Sequence, residues 1–323
     1  MILKLGLILL AAAVVGGAAR AQELTWREMA DLPRPVAGYM GGVIGGKMLI
    51  AGGSYWEDKQ KHWSDEVQVF DPASNTWTRG PAMPAPRSDA ASAVLGDDLY
   101  CFGGGAGNEV TADAWALHDG KWHQVIEAKL PEPRLFAVAL AYAGYIYLLG
   151  GVPKAGDYKT MPTTFWRWRP GAKGWETLAP LPGAGRISHA MAQIKGGLYV
   201  FGGATTGGRD VENLKDAYRY DPKNNKWTEL PDLPIADRAW WAVSVRRRAL
   251  LLGGYTNDFE KQVYWYDPPH NLQSAGSLPH ALADTKFYRI GNLVVGAGGE
   301  AGAGIRGKWT LAAELPRHSG RSK

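Results

Sequence analysis

Five arginines recur at one kind of position, one to four residues after a Leu-Pro or Met-Pro pair. They are Arg34, Arg87, Arg134, Arg186 and Arg238. A guanidinium group pairs with a carboxylate through two parallel hydrogen bonds. If the segments that carry these arginines close around one axis, the five side chains create a focused positive potential. We therefore predict that they bind a small carboxylate. The alternative is that each arginine braces a loop by donating to backbone carbonyls.

Other side chains with recognisable chemistry lie close to these arginines or in long loops. His189 and Trp240 follow two of the arginines and are predicted to line the same opening, although a histidine there is also typical of a structural residue. Trp56 and Trp63 lie in a long loop, where they offer a platform for a sugar ring or a partner, or pack on a neighbouring segment. The seven histidines show no metal-ligand spacing, and no phosphate-binding glycine loop or nucleophile motif occurs. We predict no metal and no cofactor.

An apolar run that ends in Gly-Gly occurs six times and must position these residues. The second glycines of the six pairs are Gly53, Gly104, Gly151, Gly203, Gly254 and Gly299, which are 45 to 52 residues apart. Runs of this kind are typical of strands buried on both faces. The glycines permit backbone conformations that are closed to other residues. A period near 50 residues predicts a repeat array.

The second half of each unit is also regular. An aromatic strand follows the Gly-Gly pair, then a turn, then a tryptophan (Trp77, Trp122, Trp175 and Trp227 in the first four units), while the fifth unit has Leu272 there. This pattern resembles the kelch repeat. The resemblance implies an all-β, six-bladed kelch β-propeller with four antiparallel strands per blade. It also implies that the repeat arginines open the innermost strands, next to the central channel.

The two ends of the chain are predicted to close this ring. Residues 24–33 look like a fourth strand with no blade before it, so we expect the N-terminal strand to complete the last blade and remove an exposed edge. The alternative is that residues 308–310 form that fourth strand themselves. We divide the chain into a signal peptide at 1–21, a single propeller at 22–317 and a disordered basic tail at 318–323.

The flanking segments and the composition limit where the protein acts. Lys4, an apolar run and an Ala-Arg-Ala site ending at Ala21 predict a cleaved signal peptide, and hence a periplasmic or secreted protein. The single cysteine, Cys101, allows no internal disulfide and is predicted to be a packed thiol. The net charge is +5, but no basic run indicates nucleic-acid binding. We expect a monomer that does not contact a membrane after cleavage.

The last unit differs from the others because a glutamate directly follows its Gly-Gly pair. The segment Gly299-Glu-Ala-Gly-Ala-Gly-Ile-Arg306 is similar to the G-E-x-x-x-G-x-R segment of periplasmic sialic acid mutarotases, which are kelch-type N-acetylneuraminate epimerases. The match covers Gly299, Glu300, Gly304 and Arg306. The resemblance implies that Glu300 and Arg306 are the catalytic pair. In this chain the segment falls in the last blade, whereas in the family it lies in an earlier one. The chain would therefore be a circularly permuted member.

The function implied by this resemblance is exchange of the α and β anomers of N-acetylneuraminate or a related sugar. We expect Glu300 to act as general base and then general acid, while Arg306 and the repeat arginines hold the carboxylate. The alternative is a non-catalytic propeller that binds a protein or glycan through its loop face. Glu300 facing the channel would favour catalysis. Trp56 and Trp63 forming an exposed patch would favour binding.

Overall fold

The fold is a closed ring of six four-stranded antiparallel sheets, as predicted. A computed structural model describes residues 22–206, 210–268 and 272–316. The predicted signal peptide and basic tail lie outside these residues. Within them the chain forms strands, one 3-10 turn at Ile126–Ala128 and no α-helix. No helix in this part of the chain has the length and apolar character needed to cross a bilayer.

The strands of each blade are given from the innermost to the outermost. Blade 1 contains Met40–Ile44, Lys47–Ala51, Val67–Asp71 and Thr76–Arg79. Blade 2 contains Ala91–Leu95, Asp98–Phe102, Ala114–His118 and Lys121–Gln124. Blade 3 contains Val138–Tyr142, Tyr145–Leu149, Phe165–Trp168 and Glu176–Thr177.

The second half of the ring follows the same plan. Blade 4 contains Ala190–Ile194, Gly197–Thr206, Val211–Asp221 and Lys226–Leu230. Blade 5 contains Trp241–Val245, Arg248–Leu252, Gln262–Tyr266 and Leu272–Ser277. Blade 6 contains Lys286–Ile290, Leu293–Ala297 and Thr310–Glu314, and its outermost strand is Trp26–Glu28.

The N-terminal strand therefore closes the ring, and the alternative with a fourth strand at 308–310 is wrong. Trp26 pairs with Ala313 and Glu28 with Leu311. Thr310 instead begins the third strand of blade 6 and pairs with Ala297 of the second. Joining the first strand to the last blade pairs a sheet edge that would otherwise be exposed.

The Gly-Gly pairs join each blade to the next. The second glycine donates its N–H to a carbonyl of the following blade, for example Gly53 to Arg87 at 2.8 Å, and Gly299 to Val36 at 2.9 Å across the closure. Both glycines of every pair have positive φ, and a Cβ on the first, such as Gly52, would overlap the same carbonyl. Glycine is therefore required by this close approach between backbones.

Aromatic side chains fill the gaps between the outer strands. The indole N–H of Trp227 donates to the carbonyl of Ala179 in the preceding blade at 2.8 Å, and Trp175 donates to Ala128 in the same way. Phe165 packs edge-on against Tyr220 with ring centroids 4.9 Å apart. These buried contacts hold neighbouring blades at a fixed angle, which fixes the loops at the end of the axis.

Two-stranded hairpins extend three of the blades after the Gly-Gly pair. They pair Ser54–Glu57 with Gln60–Trp63 in blade 1, Gly105–Ala106 with Glu109–Val110 in blade 2, and Glu300–Gly302 with Ile305–Arg306 in blade 6. In blade 4 the second and third strands themselves continue past the pair. The extensions of blades 1, 4 and 6 line the cavity described next.

Candidate functional site

A cavity of about 710 Å³ opens at the end of the propeller axis where these hairpins lie. We call it the axial cavity. Its volume is within the range of roughly 300–1,000 Å³ that is typical of small-molecule sites. Its charged side chains are Lys61, Asp89, Asp210, Arg238, Asp284, Glu300 and Arg306. Such a lining suits a polar ligand that carries both hydroxyl groups and an anionic group.

Glu300 and Arg306 lie together on one wall of the axial cavity. Arg306 Nη1 donates to Glu300 Oε1 at 2.5 Å, and its Nε and Nη2 donate to the backbone carbonyl and hydroxyl of Ser54 at 3.0 and 3.1 Å. The Arg306 side chain is only 6% exposed, whereas that of Glu300 is 40% exposed. Arg306 therefore holds Glu300 in place, and Glu300 is the member of the pair that a ligand can reach.

The backbone of blade 6 fixes Glu300 from the other side. Its N–H donates to the carbonyl of Ala283 at 2.7 Å, and the N–H of Ala283 donates back at 2.9 Å. The next residue, Asp284, lines the same cavity. One short bridge thus places two carboxyl groups of the same blade at one cavity.

The floor of the axial cavity is a ring of six residues with left-handed backbone, one from each blade. They are Gly38, Asp89, Phe136, Ser188, Ala239 and Asp284, with φ between 50° and 64°. Each N–H from Asp89 onward donates to the carbonyl of the preceding member, over 2.6 to 3.3 Å. The sixth link is different, because the N–H of Gly38 donates to the Asp284 carboxylate at 2.6 Å. We call this feature the neck ring.

The pKa values of two carboxyl groups in the neck ring are raised above the usual range. Burial, with help from the charges of Asp89 and Glu300, raises the pKa of Asp284 to about 7, while Lys286 opposes the shift. Burial also raises the pKa of Asp89, against a hydrogen bond from Ser88 Oγ. Lys286 is buried beneath them, where its ammonium donates to the backbone carbonyl of Tyr39. Burial lowers its pKa, although both carboxyl groups oppose that shift.

Arg238 is the repeat arginine that lines the axial cavity. Its Nη1 donates to Asn213 Oδ1 at 2.6 Å, and its guanidinium lies 4.3 Å from the ring centroid of Tyr255. Lys61, from the hairpin of blade 1, also lines the cavity. Both cations remain at the cavity surface, where a ligand carboxylate can reach them.

The structure does not bring the other repeat arginines to this cavity. Arg186 is fully buried and binds Asp216 through two hydrogen bonds of 2.7 and 2.8 Å. Arg134 is fully buried and donates to Glu132 and Thr164. Arg87 is 8% exposed and donates to the Gly103 carbonyl at 2.7 Å. These three brace the loops, as the alternative interpretation stated.

A shift of one residue separates Arg238 from these three. The carbonyls that accept from the Gly-Gly pairs belong to Val36, Arg87, Arg134, Arg186, Asp237 and Leu282. Asp237, not Arg238, therefore occupies the position of the buried arginines, and it is 1% exposed. Side chains alternate between faces along extended backbone. Moving the arginine by one residue consequently places it in the cavity.

The remaining predicted residues lie elsewhere. Arg34 lines a separate groove, where it pairs with Glu66 at 3.0 Å. His189 and Trp240 line the narrow space under the neck ring and are 1% and 2% exposed. The Trp240 indole donates to Phe201, and neither ring nitrogen of His189 has a hydrogen-bond partner among the described residues. Burial lowers the pKa of His189 well below its usual range, so the ring is neutral and packs as an apolar group.

Sequence reasoning missed Asp89, Asp284 and Lys286. Each occupies a position where most other blades carry a small or apolar residue, and counting back from the next Gly-Gly pair would have aligned them. Among the described residues no cluster of three or more His, Cys, Asp or Glu side chains is arranged to hold a metal ion. Cys101 is buried, and burial raises its thiol pKa to about 12.

These features define a six-bladed propeller with a charged, ligand-sized cavity at one end of its axis. A family model described as the KLHDC2/KLHL20/DRC7 Kelch-repeats domain matches residues 19–203, and a Kelch motif model matches residues 185–234. The chain belongs to the kelch-repeat family.

Individual relatives agree with this assignment. Human Kelch-like protein 34 is 29% identical over 242 residues, which cover 71% of this chain and 36% of that protein. Mouse Kelch-like protein 35 is 30% identical over 217 residues, covering 66% of this chain and 35% of that protein. The chain thus spans about a third of the length of these curated relatives. The solved structure of YjhT matches with a TM-score of 0.71 and 17% identity, covering 88% of this chain and 96% of that one, and shows the same fold.

Proposed function

We propose that this protein is a sugar-acid mutarotase that binds N-acetylneuraminate or a related sugar acid in the axial cavity and exchanges its α and β anomers. One observation carries the proposal: Glu300 is fixed by Arg306 on the wall of the cavity, next to a second carboxyl group, Asp284. The match of residues 299–306 to the mutarotase segment supports the same reaction.

The reaction needs two proton transfers. A base removes the proton of the anomeric hydroxyl, an acid delivers a proton to the ring oxygen, and the bond between the anomeric carbon and that oxygen breaks. The open-chain keto form then recloses on its other face. Glu300 takes the first proton, and Asp284, whose pKa is about 7, delivers the second. A general acid works best when its pKa lies near the working pH.

The carboxylate of the sugar acid is held by cations at the cavity surface. Arg238 and Lys61 line the cavity, whereas the guanidinium of Arg306 is occupied by Glu300 and Ser54. Arg306 is therefore a positioning residue in this proposal, and Arg238 takes the clamping role that we had expected of the five arginines. We also propose that the protein acts after export, on the strength of the N-terminal segment 1–21.

The test is time-resolved proton NMR of freshly dissolved N-acetylneuraminate with the purified protein. We expect the wild type to speed the approach to anomeric equilibrium. Glu300→Gln and Asp284→Asn should each lower that rate by about a hundredfold, which is typical of losing one general acid or base. The asparagine keeps an oxygen that can accept from Gly38, so the neck ring stays closed.

The matched control is Glu176→Gln. Glu176 accepts two hydrogen bonds from Arg167 at 2.7 and 2.9 Å on the outside of blade 3, so this variant breaks a comparable ion pair far from the cavity. It should anomerise the sugar at the wild-type rate. A Glu300→Gln variant that is folded and fully active would refute the proposed role of Glu300.

A second candidate function is binding without catalysis, and one observation favours it. Trp56 and Ile305 are 43% and 58% exposed beside the cavity, and exposed apolar side chains of this size often mark an interaction site. Trp63 is half-buried, and Lys61 lies over its ring. Broadening of the sugar resonances without any faster anomerisation would support a binding propeller over a mutarotase.

A further inference from the structure

A second depression lies beside the axial cavity, between blade 6 and blade 1. We call it the rim groove. It has a volume of about 770 Å³, and its lining includes Arg34, Tyr55, Trp56, Arg79, Ile305 and Arg306. Arg306 also lines the axial cavity, so the two spaces border the same side chain. A ligand that extends out of the cavity beside Arg306 would therefore reach the groove.

One wall of the rim groove is apolar and exposed. Trp56 and Ile305 are two of the four large hydrophobic side chains that are exposed in the described part of the chain. They lie near the tips of two facing hairpins, which meet where Gly304 approaches the Trp56 indole; a Cβ on Gly304 would be 3.8 Å from that ring. An exposed indole offers a flat face to the C–H groups of a sugar ring.

The floor of the rim groove is polar and already ordered. The Arg34 guanidinium donates to Glu66 at 3.0 Å and lies 4.6 Å from the centroid of the Tyr55 ring. The Gln68 amide accepts from the Arg34 N–H at 2.8 Å and donates to its carbonyl at 3.0 Å. Groups that the protein has already fixed lose little conformational entropy when they bind sugar hydroxyls.

We propose that the rim groove binds the second residue of a short acidic oligosaccharide whose reducing-end sugar acid occupies the axial cavity. This inference rests on the proposed function. The anomeric carbon of the reducing-end residue must be free for anomers to exchange, so the second residue is attached through another hydroxyl. The apolar wall receives one face of that residue, and the polar floor receives its hydroxyl groups.

The experiment compares two probes by calorimetry, N-acetylneuraminate and its α2,8-linked dimer. We expect the dimer to bind the wild type about tenfold more tightly, which corresponds to about 1.4 kcal/mol. Trp56→Ala and Ile305→Ala should each remove most of that gain and leave the affinity for the monosaccharide unchanged. Ile126→Ala is the matched control, because Ile126 is also an exposed isoleucine but lines neither the axial cavity nor the rim groove. It should change neither affinity.

The outcomes separate this inference from the proposed function. If the monosaccharide binds and is anomerised but the dimer binds no more tightly, the groove proposal is overturned and the mutarotase stands. Equal weakening of both probes by Trp56→Ala and Ile305→Ala also overturns it, because the side chains then act on the axial cavity. If neither probe binds, both proposals fall.

Discussion

The contact between Gly38 and Asp89 at the neck ring gives a quantitative test of the site geometry. Gly38 has a φ of +64°, and a Cβ there would overlap the Asp89 carboxylate, with Cγ only 3.0 Å away. Gly38→Ala therefore has two costs. An alanine with left-handed backbone is strained by about 1–2 kcal/mol, and the Asp89 carboxylate must move.

The second cost is worked from the bond that this movement disturbs. Asp89 accepts from Ser88 Oγ at 2.8 Å, and its carboxylate gives up this bond when it moves. Hydrogen bonds to charged groups contribute about 1.5–3 kcal/mol each. Loss of this bond should add about 2 kcal/mol to the strain. We expect Gly38→Ala to lower the free energy of unfolding by about 3 kcal/mol.

The control is Gly45→Ala in a turn of the same blade. Gly45 has a φ of +57°, and a Cβ there meets no atom within 4 Å, so this variant has the strain without the overlap. Urea unfolding at pH 7 should give a loss of about 1 kcal/mol. The difference between the two variants isolates the contact with Asp89.

A double-mutant cycle completes the test. In an Asp89→Ala background the overlap is absent, so Gly38→Ala should cost no more than Gly45→Ala. The geometry of the neck ring would be refuted if Gly38→Ala were as mild as Gly45→Ala in the wild type. The same conclusion follows if its excess cost persisted without Asp89.

Two further predictions concern the position that the repeat arginines share. Burial raises the pKa of Asp237 to about 8, so the folded state holds a proton that the unfolded chain loses near pH 4. The contribution of Asp237 to the free energy of unfolding is therefore fully present below about pH 4 and is lost as the pH rises to about 8. The loss is at most about 1.4 kcal/mol per pH unit. Asp237→Asn keeps an acceptor for the Tyr255 N–H, so urea unfolding at pH 5 and pH 8 should show a flatter pH dependence than the wild type, and equal slopes would contradict this assignment. Arg186→Met leaves Asp216 without its bidentate partner and should lower the free energy of unfolding by about 3–5 kcal/mol. Arg167→Met, at a surface ion pair, should lower it by at most about 1 kcal/mol. Equal losses would show that the buried ion pair stabilises the fold no more than the surface pair.

The sequence predicted the ring and its closure because both follow from strong local patterns. Gly-Gly marks a backbone contact that only glycine allows, and it recurs six times. The strand near Trp26 has no blade before it, so the last blade was its expected partner, although residues 308–310 offered an alternative. Both patterns can be recognised in the sequence without knowing how the side chains pack.

Whether each repeat arginine side chain is buried or faces the cavity could not be predicted from its distance to the Leu-Pro or Met-Pro pair. The segment between Leu-Pro and the innermost strand varies in length, so an arginine three residues after the proline, such as Arg87, is buried like Arg186, which is four residues after it. Arg238 is also four residues after its proline, yet it lines the cavity. Orientation is set by the hydrogen bond to the preceding blade, and a shift of one residue reverses it.

Counting backwards from the following Gly-Gly pair does locate the site, because that number of residues is constant. The first two strands of every blade form a tight hairpin, so each neck-ring residue lies fourteen positions before the first glycine of the following pair, as Gly38 lies before Gly52 and Asp284 before Gly298. The ring fixes φ and the N–H donors, and the residues at its six positions are Gly, Asp, Phe, Ser, Ala and Asp, so the repeat itself does not require a carboxyl group there. A charged residue at one of these positions is therefore not explained by the repeat. By this argument, the residues that depart from the repeat, Asp89, Asp284 and Glu300, are the ones to examine first for chemistry.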